Sequence, residues 1–291
     1  MDFYAIPPNK HLDLMHYGDR YFCLAHFYKE DPAYRQYFLT LRAQQPESFI
    51  TLDNAAAERS LVEEADLLDI VAELKPNEVI APDYLLDKKK TLASLYSFAE
   101  AMKARGLDQH TNLFACPQAD NAEDWFAVFG EMSRHPQVKT LGLSKITVPY
   151  CFANQSTGDV NIAKARQKAV QGLHDRGLLI KDIHLLGMGE ADEYEYYAHM
   201  IKMQDAKDVA QHLRSSDSCY SILAATHGIR FQQGNFTRVP TTEEYYHCQL
   251  TREQFFDAKN NIRYLKQMYG HLERASSRYI PWDSTQEYEG H

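Results

Sequence analysis

Seven short runs of β-branched and apolar residues recur along this chain roughly every 30 residues, the length of one β-loop-α-loop unit. The runs are Tyr21–Phe27, Ser48–Asp53, Glu78–Ala81, Asn112–Cys116, Lys139–Leu143, Asp182–Leu186 and Leu213–Asp217. Between them apolar residues fall at helical spacing: Leu61, Ala65, Leu68 and Val71; Leu92, Leu95, Ala99 and Met102; Trp125, Val128, Phe129 and Met132. Strands that alternate with such helices build a parallel sheet. The cadence predicts a (β/α)8 barrel, one α/β domain over residues 1–291, with its eighth strand built after Asp217. An open doubly wound sheet is the other arrangement, but the GxGxxG fingerprint and the Walker loop are both missing. Thr251-Arg252-Glu253-Gln254 reads as a capping box opening a last helix, so a C-terminal helical segment is expected from about residue 240.

With 44% hydrophobic and 24% charged residues, 13 Gly and 11 Pro, the chain is not collagen-like, mucin-like or disordered. No run approaches the length of a membrane span, and Met1-Asp2-Phe3-Tyr4 lacks the layout of a signal peptide, so a cytoplasmic protein is expected. Five cysteines, Cys23, Cys116, Cys151, Cys219 and Cys248, are scattered without a CxxC pair, which suggests buried thiols and no disulfide framework. A net charge of −9 argues against a protein that coats polyanions by bulk charge. It leaves room for a basic groove, with local clusters at Lys88-Lys89-Lys90, at Lys164, Arg166 and Lys168, and at Arg230 and Arg238. Each cluster reads equally as solvated surface.

In a barrel of this kind the reacting groups stand at the carboxyl ends of the strands. Here the runs end in Leu52-Asp53-Asn54, Ala81-Pro82-Asp83, Cys116-Pro117-Gln118, Leu141-Gly142-Leu143, Leu186-Gly187-Met188-Gly189 and Ser215-Ser216-Asp217-Ser218. Taken singly, each has an ordinary role open to it: Asp53 as a helix cap, Asp83 as a turn former, Gln118 as a loop residue, Asp217 as a cap. Together they would bring three carboxylates and a carboxamide to one mouth, with glycines where a ligand meets the backbone.

In order and spacing these elements resemble the tRNA-guanine transglycosylases and, within them, the phage DpdA branch that inserts 7-deazaguanines into DNA. The resemblance runs from about Ser48 to Cys219. Ile50-Thr51-Leu52-Asp53-Asn54-Ala55-Ala56 is similar to the family's strand-end aspartate and small-residue loop. Val79-Ile80-Ala81-Pro82-Asp83 and Leu113-Phe114-Ala115-Cys116-Pro117-Gln118 resemble its two base-reading elements. Leu141-Gly142-Leu143 and Leu186-Gly187-Met188-Gly189 resemble its backbone contacts to the base, and Asp217 falls on its nucleophile. The chain departs from the pattern at Asn54, Ala55 and Ala56, which replace glycines, and at Ala57, which replaces a stacking aromatic. The CxCxxC zinc motif is also absent, leaving Cys219, His227, His247, Cys248 and His271 as conceivable ligands without recognised spacing.

The resemblance implies base exchange at C1′ of a guanine nucleotide, with Asp217 capturing the sugar and Asp53 moving the proton. Asp83 and Gln118 would read the purine edge, aided by the backbone of Gly142, Leu143, Leu186 and Gly187. No cofactor and no metal are called for. The partners implied are a flipped guanine nucleotide in DNA and a free 7-deazaguanine such as 7-cyano-7-deazaguanine, with Lys88, Lys89, Lys90, Lys145, Arg230 and Arg238 facing phosphates. Exchange in tRNA is one alternative. A metal-dependent hydrolase on the same barrel, using Asp53, Asp83, His184 and Asp217 as ligands, is another.

Overall fold

The computed structural model describes residues 1–56, 62–153, 161–189, 191–203, 206–232 and 243–270. Eight parallel strands form one sheet: β1 (Asp2–Ala5), β2 (Tyr21–Leu24), β3 (Ile50–Asp53), β4 (Glu78–Ile80), β5 (Asn112–Ala115), β6 (Val138–Leu143), β7 (Asp182–Leu185) and β8 (Leu213–Ser218). Their order is β1-β8-β7-β6-β5-β4-β3-β2. A bridge between Tyr4 and Arg20, with a 2.7 Å hydrogen bond from Asp19 N to Phe3 O, brings β1 beside β2 and nearly closes the sheet into the expected α/β barrel.

Helices alternate with the strands: α1 (Ala25–Glu30), α2 (Pro32–Gln44), α3 (Glu64–Leu74), α4 (Lys88–Ala104), α5 (Ala122–Arg134), α6 (Thr147–Phe152) and α7 (Ile162–Asp175). They continue with α8 (Ala191–Lys202), α9 (Lys207–Ala210), α10 (Tyr220–Thr226) and α11 (Arg252–Met268). Of the expected stripes, Leu68 and Val71 on α3, Leu95, Ala99 and Met102 on α4, and Trp125, Val128, Phe129 and Met132 on α5 are buried, whereas Leu92 is half-buried and Ala65 is exposed. Leu61 lies outside the described residues.

The eighth strand is the first in the chain and not a segment after Asp217. β1 pairs with β8 from Asp2 opposite Ser215 to Ala5 opposite Ser218, while the chain beyond Ser218 turns directly into α10. Four residues ahead of Pro7-Pro8 are too short a run to show a period. The run from Tyr21 is also shorter than its sequence suggests. The Leu24 N–H leaves the ladder for the Tyr34 hydroxyl at 3.0 Å, and Ala25-His26-Phe27 begin α1.

Alternate strand residues face the axis and fill the barrel in tiers. At the amino end of the strands, Arg214 donates to both oxygens of Glu78 at 2.6 and 2.7 Å and to Thr140 Oγ1 at 2.6 Å. Above this lie the rings of Tyr4, Phe22 and Phe114, centred 5.3, 5.9 and 5.4 Å from the His184 ring. The upper tier borders an open cleft, so the chemistry stands on a packed floor.

The C-terminal helical segment is tied to the barrel's first strand. Both reciprocal bonds of the capping box at Thr251 and Gln254 are formed, and α11 packs on α10, α8 and β1. Tyr245 donates to Ile6 O at 2.6 Å and Lys266 pairs with Asp19 at 2.9 Å. Among the described residues no helix is long and apolar enough to cross a membrane.

Candidate active site

The cleft at the carboxyl ends of the strands has a volume of about 950 Å³ including its mouth, and Asp53, Asp83, Gln118, Leu186, Gly187 and Asp217 all line it. Residues from separate strands thus converge as their positions in sequence suggest. Ile6, Phe22, Leu24, Ile80 and Met188 supply apolar wall.

Asp83, Gln118 and Asn54 form one network. Asn54 Nδ2 donates to Asp83 Oδ1 at 2.7 Å, and Gln118 Nε2 donates to Asp83 Oδ2 at 2.5 Å. Asn54 also donates to Ala81 O at 2.8 Å, which fixes its amide. The Gln118 oxygen accepts from the Leu86 N–H at 3.3 Å and from the Thr147 hydroxyl. Both partners of Asp83 are neutral, so burial dominates and pushes its carboxyl up to about 6, against the pull of those hydrogen bonds. The two Asp83 oxygens, each holding one neutral donor, keep lone pairs for a ligand edge that carries N–H groups.

Asp217, 4% exposed, is held on one oxygen. Its Oδ1 accepts from Gly187 N and faces His184 Nε2, both at 2.9 Å, while its backbone oxygen accepts from Met188 N at 2.9 Å. Gly187 has φ 63°, which favours glycine, and the Lys145 side chain passes 2.6 Å from where a Cβ would lie. The other His184 nitrogen faces Ser215 Oγ at 2.8 Å, and burial draws the imidazole below its ordinary pKa against the neighbouring Asp217.

Asp53 accepts from Ala55 N at 2.9 Å, and the next helix among the described residues, α3, starts only at Glu64. Ala55 has φ 62°. The backbone at this position therefore keeps the left-handed conformation suited to glycine although the side chain is alanine, a strain of about 1 kcal/mol. Gly142 and Leu143 are not in the cleft lining. A Cβ on Gly142 would lie 2.7 Å from both Leu186 and Phe114, and Leu143 O accepts from Leu186 N at 3.2 Å. These two residues act in barrel packing, one layer below the position expected of them.

Of the expected phosphate contacts, Lys145 alone lines the cleft, and among the described residues it is the only basic side chain there. Lys88, Lys89 and Lys90 form the first turn of α4. Lys88 pairs with Asp124 at 2.5 Å, and Lys90 lies 3.7 Å from the Tyr84 ring centre. Arg230 pairs with Asp257. Arg238 lies outside the described residues, as do Ala57 and His271. Arg166 is no surface cation: it is fully buried against Glu193 at 2.8 Å and donates to Leu186 O, anchoring the loop that carries Gly187. This pair and Asn54 were not legible as site features, because their partners are distant in sequence and the ion pair joins two helices.

Among the described residues no three His, Cys, Asp or Glu side chains gather around a common point. His184 has both ring nitrogens engaged, so the ligand set Asp53, Asp83, His184 and Asp217 does not assemble. Of the conceivable zinc ligands, Cys219 borders the cleft, His227 faces Leu223 O at 3.1 Å, His247 packs near Phe27, and Cys248 N donates to Tyr245 O at 3.2 Å.

No family model and no curated protein matches this chain. Solved structures similar in fold include a D-psicose 3-epimerase crystallised in the presence of D-fructose, at 12% identity and a TM-score of 0.48, covering 93% of this chain and 96% of that one. The malate synthase of Haloferax volcanii is 13% identical with a TM-score of 0.45, covering 93% and 90%. The citrate synthase SbnG is 13% identical with a TM-score of 0.41, covering 78% and 90%. At such distances a likeness concerns the course of the chain and not its chemistry.

Proposed function

We propose that this protein exchanges guanine in DNA for a 7-deazaguanine base through a covalent aspartyl-sugar intermediate. The observation that carries the reading is the convergence of Asp53, Asp83, Gln118 and Asp217 on one cleft at the carboxyl ends of the strands. Asp217 attacks C1′ as the bond to N9 of guanine breaks, and the bonding pair leaves with the base. Asp53 passes a proton to the departing guanine. It then takes the N9 proton of the incoming 7-deazaguanine, whose nitrogen attacks C1′ and releases Asp217. Asp83 accepts from the purine edge, and Gln118, whose amide is engaged on Asp83, Leu86 and Thr147, holds that carboxylate in place. Lys145, lying across Gly187 in the lining of the cleft, would meet a phosphate of the flipped nucleotide.

The test is incubation of the protein with duplex or single-stranded DNA and radiolabelled guanine, with a parallel tRNA arm. Label retained in DNA supports the reading. Label retained only in tRNA moves the substrate to RNA, and no label in either polymer contradicts base exchange.

A further inference from the structure

Beneath Asp217 a continuous hydrogen-bonded chain runs through the barrel axis. Arg214, locked on Glu78, donates through Nε to Ser215 Oγ at 3.3 Å. Ser215 Oγ lies 2.8 Å from His184 Nδ1, and His184 Nε2 lies 2.9 Å from Asp217 Oδ1. A guanidinium can only donate and a carboxylate can only accept, so the ends set the direction of the chain. Ser215 receives the Arg214 N–H and gives its own proton to Nδ1. His184 then carries its proton on Nε2 and gives that hydrogen bond to Asp217. Ser215 and His184 are fully buried, so this serine, although it contacts a histidine, is closed to substrate.

We propose that His184 is a positioning residue for the attacking carboxylate, held as its neutral Nε2–H tautomer by Ser215 and Arg214. This inference rests on the base-exchange reading. With Gly187 N, the imidazole holds Asp217 Oδ1 from two sides. Oδ2 takes no hydrogen bond from the described residues and belongs to a carboxylate that lines the cleft, which leaves it as the atom that meets C1′. The cage of Tyr4, Phe22 and Phe114 fixes the ring plane. The charged and titratable groups around the imidazole are Asp217 above it and Arg214, Glu78 and Tyr4 below and beside it. Burial together with the Arg214 cation disfavours a second proton on the ring.

Three full-length proteins and the wild type test this. His184→Phe keeps a ring in the aromatic cage but removes the donor, and should lower kcat for guanine exchange about 100-fold with little change in KM for the base. His184→Gln keeps a side-chain N–H and should recover about tenfold of that loss. Nitrogen-15 imidazole NMR of the wild type should show a neutral ring protonated on Nε2 at pH 7, and Ser215→Ala should shift the Nδ1 resonance and weaken that preference without reversing it, because Asp217 still accepts from Nε2. A ring protonated on Nδ1 or on both nitrogens overturns the proposal, as does a His184→Phe protein that folds and turns over at the wild-type rate. Wild-type protein that shows the expected tautomer but transfers no label overturns the exchange reading, and the catalytic role with it, while leaving the hydrogen-bonded chain in place.

Discussion

The two ends of the barrel hold their carboxylates in opposite ways. At the amino end Glu78 is matched by a bidentate guanidinium, so its charge is neutralised where it stands. At the carboxyl end Asp83 is held by two amides, and Asp217 by a backbone N–H and an imidazole. Neutral donors orient a carboxylate without cancelling its charge. The amino end is built to stay shut, and the carboxyl end keeps its carboxylates uncompensated beside the cleft.

The largest effect that would sharpen this contrast is one of stability. Glu78→Gln removes the bidentate partner of the largely buried Arg214 cation, leaving only Asp182 at 3.9 Å, and should destabilise the fold by about 3 kcal/mol in urea unfolding. Asp217→Asn removes a charge held by neutral groups and should cost about 1 kcal/mol. Equal losses at the two ends would erase the difference between them.

Next in size is a pH effect at Asp83. Its carboxyl titrates near 6 in the folded chain against an ordinary 3.8, so the stability it contributes is fully present below 3.8 and is lost as pH rises through 6. Between pH 5 and pH 7 the wild type should lose about 1 kcal/mol more than Asp83→Ala. A pH-independent difference would mean that Asp83 is not desolvated. In the exchange assay Asp83→Ala or Gln118→Ala should raise KM for the base and weaken selection of guanine-like bases, because donors on the base lose their partners.

The barrel was legible in the sequence because each helix-strand unit repeats one period, and four strand ends were legible because their apolar runs stop at Asp53, Asp83, Gln118 and Asp217. β1 was not, since four residues carry no period; what marks it as a strand is its pairing with β8. His184 was open to reading as a ligand because sequence alone does not reveal that Ser215 and Asp217, both inward-facing on the next strand, take up its two nitrogens. β7 is buried on both faces from Ile183 to Leu185, so its pattern alone does not mark which residues face the axis. Gly142 was assigned to the ligand where it serves the packing of Leu186 on Phe114, two uses of a missing Cβ that sequence does not separate.

Smaller effects bear on the carboxyl end alone. Lys145→Ala should reduce the slope of log affinity for DNA against log salt by about 0.9, the loss of one phosphate contact. Replacing Lys88, Lys89 and Lys90 together by Ala should flatten the slope further if the first turn of α4 follows the bound strand. A slope unchanged by either set would move the phosphate path off this rim. Smallest is Ala55→Gly, which relieves a left-handed alanine and should stabilise the fold by a few tenths of a kcal/mol, to about 1 at most, in thermal unfolding. A loss of stability there would mean that the alanine methyl packs better than its backbone strain costs.

The central claim is that Asp217 is the attacking group at the open end of the barrel. End-labelled guanine-containing DNA, incubated with the protein and resolved on a denaturing gel, should give a protein-linked species with the wild type. Asp217→Asn should give none while still binding DNA and melting close to the wild type. A linked species of equal yield in Asp217→Asn would contradict the account.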